Sequence, residues 1–348
     1  MKTLAPLVML VLPLALASGM PVAAQEKGAP SAGATRGDAS TEARHRAEAL
    51  LSGVVRVRMK ALPDARTSGT LGIEREGTGV VIDDDGHVLT IGYLVLEPDA
   101  IEVTGANNKT VPARLVGYDH ETGFGLLKVQ GLLDVKAVAL GDSDRLPPRE
   151  PVMVLPWGGP QAASIAQVVS RREFTGAWEY LLESAIFVSP PTRAWAGAAL
   201  VNREYELVGI GSLLVRDTVP GDQPTPGNMF VPINLVKPIL TDLKSRGRAA
   251  GAPRPWLGLR TESFQGRLLV TGVSEDAPAD RAGIERGDIV LGVGPDEVTT
   301  QAELYRRMWA LGPAGTEVPL RIQRRGEARE VRVKSIDRSA FFRSKPAY

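Results

Sequence analysis

The stretch that decides the fold reads PTRAWAGAALVN and covers residues 191–202. Its centre is rich in small residues, and it ends on an apolar pair followed by Asn202. The hydroxyl groups nearest upstream of Ala196 belong to Ser189 and Thr192, and neither lies in a Gly-Xaa-Ser-Gly setting. The centre of the stretch therefore lacks the hydroxyl nucleophile that acyl transfer by a serine would require.

This stretch resembles the nucleophile loop of the HtrA/Deg (Do-like) family of chymotrypsin-like serine proteases, which is usually written GNSGGPLVN. With residues 200–202 aligned, the serine of the family falls on Ala196. A methyl group at this position cannot be activated as a nucleophile. The resemblance also implies an oxyanion hole made by the backbone N–H groups of Ala194 and Ala196, with the bulky Trp195 between them.

Two further segments locate the other members of the catalytic triad. Residues 77–95 resemble the family segment that contains the catalytic histidine, and they place it on Tyr93. Residues 116–129 resemble the segment that contains the catalytic aspartate, and they place it on Gly123. Tyrosine titrates near pH ~10 and is a poor general base, and glycine has no carboxylate to orient an imidazolium. All three triad-equivalent positions are substituted, and no catalytic residue is predicted to be intact.

The histidines of the chain offer no replacement for this triad. They are His45, His87 and His120. His45 lies in a predicted helix, and His87 follows a predicted hairpin turn. His120 is nearest to the aspartate-equivalent position, and we interpret it as a solvated loop histidine. A relocated triad is therefore not expected.

The composition excludes several kinds of site. The chain has 348 residues, enough for about two to three compact domains. It contains no cysteine, which excludes disulfides and thiolate metal sites. A net charge of +1 gives no electrostatic reason to expect nucleic acid or an acidic membrane surface as a partner. We predict no metal and no cofactor.

The N-terminal segment predicts a periplasmic or secreted protein. Residues 1–24 have the pattern of a signal peptide, with a basic start, an apolar run and small residues at Val22 and Ala24 that suit cleavage after Ala24. An uncleaved membrane anchor is the competing interpretation, because apolar residues continue almost to the cleavage position. Residues 25–40 are predicted to form a disordered tether, and a short helix is predicted over residues 41–51.

The middle of the chain reads as a series of short strands. Between residues 54 and 138, alternating apolar residues are divided by turn signals, which indicates a sandwich or a barrel without choosing between them. The family resemblance implies the first six-stranded barrel of a chymotrypsin-like fold. Residues 139–146, ALGDSDRL, resemble the family string that leads into the second barrel. Residues 230–237 are predicted to begin a helix that continues to Arg246. The double barrel would thus cover residues 41–246.

The last third of the chain resembles a PDZ domain of the type that follows the protease in this family. After a linker over residues 247–254, the domain is predicted over residues 255–337. Residues 277–290 carry its most specific string, similar to SPAxxAGLxxGDxI. Residues 338–348 are predicted to form an untethered tail. The predicted fold class is mostly β, with a chymotrypsin-like double β-barrel followed by a PDZ domain.

The string WLGL, residues 256–259, resembles the carboxylate-binding loop of PDZ domains. The resemblance implies β-augmentation, in which an extended peptide adds beside residues 259–261 and backbone N–H groups hold its carboxylate. The predicted peptide-binding residues of this region are Trp256, Leu257, Gly258, Leu259 and Arg260.

Residues 301–311 are predicted to form the helix that borders the peptide groove. One apolar stripe of this helix is assigned to the groove, from the resemblance to PDZ domains, and consists of Leu304, Met308 and Leu311. Tyr305 and Trp309 form a neighbouring stripe. The alternative is that the first stripe is simply core.

These observations lead to three hypotheses of function. The leading one is an HtrA/Deg-like periplasmic pseudoprotease, a protease-like protein without a triad, that binds polypeptide C-termini or exposed hydrophobic segments through its PDZ domain. The second is a serine endopeptidase of the family in protein quality control. The third is a structural subunit that assembles with active paralogues as a hetero-oligomer. The resemblance also implies that the barrel domain can form a homotrimer.

Overall fold

The computed structural model describes residues 36–176, 179–221 and 223–344. The predicted signal peptide and most of the predicted tether lie outside these ranges. Helix α1 spans Arg36–Gly53 and begins within the predicted tether, so that prediction is wrong for residues 36–40. Once a first helical turn exists, each added residue gains a hydrogen bond at small cost, and the helix extends beyond its predicted start. None of the helices in the described ranges is both long and apolar enough to cross a membrane.

The first barrel is closed by six strands in the order β1-β2-β3-β6-β5-β4. Their bounds, with those of the short helix α2, are Val54–Ala61 (β1), Ser68–Leu71 (α2), Glu74–Val81 (β2), His87–Ile91 (β3), Pro98–Thr104 (β4), Thr110–Tyr118 (β5) and Phe124–Val129 (β6). In β1 the side chains of Val55, Val57 and Met59 are buried inside the barrel, whereas Arg58 and Lys60 face outward. This period of two residues is the alternation that the sequence carries. The prediction of a six-stranded barrel is confirmed.

The second barrel is closed in the order β10-β11-β12-β9-β8-β7. Its strands are Pro151–Leu155 (β7), Ser164–Gly176 (β8), Tyr180–Ser189 (β9), Ala199–Val201 (β10), Leu207–Val215 (β11) and Gly227–Pro232 (β12). Strands β8 and β9 are the longest pair and project as a hairpin toward the C-terminal domain. This hairpin supplies the contacts between the barrel and the PDZ loop described below.

The helix predicted from residue 230 to Arg246 is divided in the structure. Residues 230–232 belong to β12, and two 3-10 turns separate them from helix α3, which spans Leu240–Arg246. Pro238 has no backbone N–H and interrupts the α-helical hydrogen bonds at this point. The prediction is therefore wrong for the first part of the segment and confirmed for the last, where Leu243 is fully buried as expected.

The C-terminal domain contains one sheet in the order β13-β14-β15-β17-β18, with β16 paired to β15. Its elements are Leu259–Phe264 (β13), Arg267–Val273 (β14), Pro278–Arg281 (α4), Ile289–Val293 (β15), Asp296–Glu297 (β16), Gln301–Ala310 (α5), Glu317–Arg324 (β17) and Glu327–Lys334 (β18). Helix α5 begins with a capping box, in which Thr300 and Glu303 satisfy each other's backbone N–H groups. Strand β13 lies at the edge of the sheet, beside the loop of residues 256–258 and beside α5.

The segment after β18 is packed, so the prediction of an untethered tail is wrong for residues 338–344. The ring of Phe341 lies 4.7 Å from that of Trp256, and the Arg66 guanidinium lies over the Phe341 ring, 4.4 Å from its centroid. The backbone N–H of Arg343 donates to Glu97 of the first barrel at 2.8 Å. Two aromatic side chains and a backbone hydrogen bond are enough to hold this short segment between the domains.

Candidate functional site

The triad-equivalent positions meet at a cavity between the barrels and the PDZ domain. Tyr93 lies in a 3-10 turn after β3, Gly123 in the turn before β6, and Ala196 in the loop before β10. Tyr93, Gly123 and Trp195, the neighbour of Ala196, line a cavity of about 710 Å³. The fold therefore brings these positions to one place, and the chemistry of the place depends on what each residue now does there.

Tyr93 is engaged as a hydrogen-bond donor. Its hydroxyl donates to the backbone carbonyl of Ser212 on β11 at 2.8 Å. Burial raises the pKa of Tyr93 well above its ordinary value, so the side chain stays neutral at physiological pH. A neutral phenol that keeps its proton in a hydrogen bond to a carbonyl cannot act as the base that takes a proton from a nucleophile.

Gly123 is used for its backbone. It has φ of +81°, a conformation that glycine adopts without strain. Its carbonyl accepts from the N–H of Gly92 at 2.7 Å, and its N–H donates to the carbonyl of Asp119 at 2.8 Å. The neighbouring carboxylate of Asp119 accepts from the N–H and the hydroxyl of Thr122 and closes the turn. The position thus fixes a turn, without a carboxylate to orient a base.

The loop at Ala196 is fixed by backbone hydrogen bonds. The Ala196 carbonyl accepts from the N–H of Thr78 at 2.9 Å, which ties the loop to β2 of the other barrel. The N–H of Ala194, which the family resemblance assigns to the oxyanion hole, donates instead to the Thr192 hydroxyl at 3.3 Å. The site therefore has neither a hydroxyl at residue 196 nor a free N–H at residue 194 to stabilise an oxyanion.

His120 differs from its prediction as a solvated loop histidine. Its ring is largely buried, with the Tyr118 ring edge-on at 4.3 Å and the Phe342 ring stacked at 5.7 Å. Burial, assisted by the positive charge of Arg338, lowers the pKa of His120 to about 3, so the ring is neutral. The packed tail, which the sequence did not predict, is what buries it. His120 lines a different cavity from the one that Tyr93 lines, so it does not replace the missing base.

The loop of residues 256–259 holds a carboxylate from elsewhere in the chain. The N–H groups of Leu257, Gly258 and Leu259 donate to the side chain of Glu179 at 2.9, 2.6 and 2.8 Å. Gly258 has φ of +85°, which turns the three donors toward one point. Glu179 lies in the turn between β8 and β9, is only 7% exposed, and therefore reaches into the loop from the second barrel.

Burial decides the ionisation of Glu179. It raises the pKa of this carboxyl to about 7, although the three N–H groups that donate to it act in the opposite direction. The positive charge of Arg338 also acts to lower the pKa of Glu179. No motif in the sequence pointed to Glu179, because its role depends on a contact between two domains.

The predicted groove helix presents a different set of residues to the hairpin. Leu304 and Met308 are 2% and 1% exposed and belong to the apolar cluster of the PDZ domain, and Leu311 is 43% exposed just beyond the end of α5. Gln301 and Tyr305 instead make the polar contacts of this helix. The Gln301 amide donates to the carbonyl of Thr261 on β13, and the Tyr305 hydroxyl donates to the Gly176 carbonyl of the β8–β9 hairpin at 2.9 Å. The assignment of Leu304, Met308 and Leu311 to peptide binding stays a prediction.

Two predicted peptide-binding residues, Trp256 and Arg260, lie on either side of the three residues whose N–H groups hold the carboxylate. Trp256 is 6% exposed and packs against Phe341, so it supports the loop from behind. Arg260 is exposed on β13, and both it and Leu259 line the same cavity as Tyr93. The carboxylate loop of the PDZ domain and the degenerate triad thus open onto one space.

One group of side chains in the described ranges has the donors to hold a metal ion. Asp83, Asp85 and His87 place a ligand atom each within 4.8 Å of one another. Lys244 lies 2.6 Å from the Asp83 carboxylate, which also lies 2.8 Å from Nδ1 of His87. The lysine already neutralises this carboxylate and opposes a second cation. The cluster joins the β2–β3 turn to α3, and we assign it no metal.

Comparisons with known proteins agree with this architecture. Residues 77–210 match the trypsin-like peptidase domain, and residues 255–335 match the PDZ domain. The chain is 29% identical over 289 residues to a protein named probable periplasmic serine endoprotease DegP-like from Pseudomonas fulva, covering 77% of this chain and 58% of that one. It is 26% identical over 295 residues to the serine protease Do-like HtrA of Lactobacillus helveticus, covering 77% of this chain and 70% of that one.

A solved structure extends the agreement to the fold of most of the chain. The HtrA-type protease AlgW, solved with a decapeptide, superposes with a TM-score of 0.52 and 19% identity, over 88% of this chain and 99% of that one. The chain spans a little over half the length of the Pseudomonas fulva relative, at 58%. The fold is therefore shared with AlgW over the part of the chain that the superposition covers.

Proposed function

We propose that this chain, which belongs to the HtrA/Deg family through its trypsin-like peptidase domain and PDZ domain, is a pseudoprotease that binds polypeptide C-termini and does not hydrolyse peptide bonds. The observation that carries the proposal is the contrast in its two sites. The barrel site has Tyr93, Gly123 and Ala196 in place of a triad, whereas the PDZ loop binds a carboxylate with three backbone N–H groups.

The barrel site supports the absence of catalysis. A serine protease needs a hydroxyl nucleophile, a base that takes its proton and donors for the oxyanion. Residue 196 offers a methyl group, and the Tyr93 hydroxyl is a donor to the Ser212 carbonyl. The Ala194 N–H is occupied by Thr192. No group at these positions can perform the proton transfer that the second hypothesis, a serine endopeptidase, requires.

The PDZ loop supports the binding of chain ends. A C-terminal carboxylate has the same two oxygens as the Glu179 side chain, so the donors of Leu257, Gly258 and Leu259 suit it equally well. Strand β13 lies at the edge of its sheet and can extend the sheet with a bound peptide. Exposed apolar segments without a free end lack the carboxylate, and we expect them to bind more weakly.

The proposed location is the periplasm, after removal of residues 1–24. The names of the relatives support this location, and the pattern of the N-terminal segment is what a secretory signal requires. Assembly as a homotrimer, or with active paralogues, is proposed on the family resemblance alone. Light scattering of the purified chain, alone and with a paralogue, would measure it.

Two measurements on the full chain test the proposed function. The first is labelling by a fluorophosphonate, which requires an activated hydroxyl. We expect no labelling above a heat-denatured control, and labelling that maps to this chain would contradict the absence of catalysis. The second is calorimetric titration of the wild type and of Glu179→Ala with a peptide ending in leucine, as the free acid and as the amide. We expect only the free acid to bind. If neither form of the peptide bound to either protein, the proposal that the chain binds polypeptide C-termini would be contradicted.

A further inference from the structure

The hairpin of β8 and β9 lies along the groove in which a peptide would bind. At the tip of the hairpin, the Thr175 hydroxyl donates to the Gln301 side chain of α5 at 2.8 Å. The next residue, Gly176, accepts from Tyr305 one turn further along the helix. Glu179 then reaches the loop at residues 257–259. The hairpin thus touches both the helix and the loop that define the groove.

The chain direction of this segment relative to β13 is the direction expected of a bound C-terminal peptide. Gln301 also donates to the carbonyl of Thr261, so Thr175 lies near the third residue of β13, whereas Glu179 lies at the start of β13. The segment therefore passes β13 in the antiparallel direction and ends with its carboxylate in the loop. A C-terminal peptide that adds to the edge of the sheet and places its end in the loop runs in the same direction.

Apolar and charged contacts hold the hairpin in addition to the carboxylate. Leu181, on β9, is 7% exposed and belongs to the same apolar cluster as Leu257 and Met308 of the PDZ domain. On the rim, Arg306 of α5 donates to the carboxylate of Glu173 at 2.5 Å and to that of Glu183 at 2.6 Å. A buried apolar side chain near a bound carboxylate is what a peptide ending in an apolar residue would also provide.

The same contacts leave no vacant donor in the loop. Each of the N–H groups of Leu257, Gly258 and Leu259 already has Glu179 as its acceptor, and Gln301 occupies the Thr261 carbonyl that β-augmentation would use. A peptide cannot add these hydrogen bonds to the existing ones. It can only exchange with them.

Resting on the proposed function, we propose that the β8–β9 hairpin is an internal ligand of the PDZ groove. Glu179 takes the place of a C-terminal carboxylate, and a polypeptide with a free end and an apolar last side chain binds by displacing the hairpin. Displacement would also disturb Tyr180, which follows Glu179 directly, lines the same cavity as Tyr93 and donates to the Thr122 carbonyl beside Gly123 at 3.1 Å.

The test compares peptide affinities of full-length variants by calorimetry, with a peptide ending in leucine as the free acid. Glu179→Ala removes the carboxyl group that occupies the loop, and we expect this variant to bind at least about tenfold more tightly than the wild type, because the observed affinity scales with the fraction of open groove. The matched control is Glu183→Gln, which removes an exposed glutamate of the same hairpin and should change the affinity by less than about fivefold.

A second variant tests the hairpin without touching the loop. Tyr305→Phe deletes the hydroxyl that donates to Gly176, and we expect about a threefold to tenfold gain in affinity, the value of one hydrogen bond. Hydrogen exchange provides a separate readout: saturating peptide should speed exchange at residues 173–176 and 179–181 of the wild type.

The outcomes separate the internal ligand from the proposed function. Equal affinities of the wild type, Glu179→Ala and Tyr305→Phe would overturn the internal ligand and leave the binding of chain ends intact. Unchanged exchange of the hairpin at saturation would overturn it as well. Absence of binding to every variant, all with wild-type circular dichroism, would overturn both.

Discussion

The barrel cleft and the PDZ loop differ in the chemical groups from which each site is made. A triad is made of three side chains, and here those side chains are a phenol, a hydrogen atom and a methyl group at Tyr93, Gly123 and Ala196. The loop at residues 257–259 is made of backbone N–H groups, which every residue except proline supplies. A backbone site survives sequence change that keeps the fold, whereas a side-chain site does not.

The largest expected effect would be the restoration of peptide-bond hydrolysis in the barrel cleft. We expect that a single substitution does not restore it. Ala196→Ser is expected to remain inactive toward casein and toward fluorophosphonates, because triad members act as a unit worth roughly a millionfold in rate. The new hydroxyl would have no base, since the Tyr93 hydroxyl donates to Ser212. Cleavage of casein by this variant, against the wild type as control, would show that the cleft still contains a base.

The PDZ loop can be broken through its geometry. Gly258 has φ of +85°, and a Cβ added there would lie 2.3 Å from Cβ of Ala277. Gly258→Ala should therefore combine the strain of a left-handed residue, about 1–2 kcal/mol, with overpacking of about 1–3 kcal/mol. We expect a loss of about 2–5 kcal/mol, measured as the midpoint of urea unfolding.

Gly266→Ala is the matched control for this substitution. Gly266 also has positive φ, at +73°, but no atom lies within 4 Å of an added Cβ. It should lose only the strain of about 1–2 kcal/mol. Equal losses for the two variants would mean that the contact with Ala277 relaxes freely and that the loop is not rigid.

Local patterns predicted most of this fold from the sequence. Alternation such as that of Val55, Val57 and Met59 marked the strands, and the resemblance chose the barrel over the sandwich, because strand spacing alone does not encode closure. The helix after β12 was overestimated, since its apolar positions were read without the effect of Pro238. The PDZ strings were specific enough to place that domain by themselves.

What the sequence did not predict lies between domains. Glu179 is one glutamate among many, and its meaning comes only from the donors of Leu257, Gly258 and Leu259, far along the chain. His120 was expected in solvent because the packing of Phe342 was not foreseen. The aromatic pair at the start of the tail was the available signal, since exposed aromatic residues are costly in a free tail.

The occupation of the PDZ loop by Glu179 should also depend on pH. Burial raises the pKa of Glu179 to about 7, whereas in the displaced hairpin the carboxyl returns to about 4.5. Closure of the groove therefore takes up a proton, so its stability is fully present below pH 4.5 and is lost as pH rises through 7. The groups that face Glu179 do not reverse this sign: Arg338 carries a fixed positive charge, and burial raises the pKa of the Tyr305 hydroxyl, which stays neutral.

Peptide affinity should accordingly increase with pH between about 4.5 and 7, by at most about tenfold per pH unit, the limit for one proton. Calorimetry across this range measures it, with Glu179→Gln as the chain whose affinity should stay flat. A wild-type affinity that stayed flat would show that Glu179 is ionised in the closed groove throughout this range, and an affinity that fell with pH would show that closure releases a proton.

The smallest expected effect concerns the charges on the rim of the hairpin. Arg306 bridges Glu173 and Glu183, but its side chain is 47% exposed, so water and salt screen both ion pairs. Arg306→Gln should weaken the closed state by about 0.2–1 kcal/mol and raise the affinity for a free C-terminal peptide by less than about fivefold. The gain should shrink in high salt, where the wild-type pairs are screened already, whereas the gain from Glu179→Ala should persist because that carboxylate is buried. Titrations of both variants at low and high salt measure the difference. If Arg306→Gln opened the groove as far as Glu179→Ala, surface charge and not the backbone donors of the loop would hold the hairpin, and the contrast between a backbone site and a side-chain site would fail at the PDZ domain.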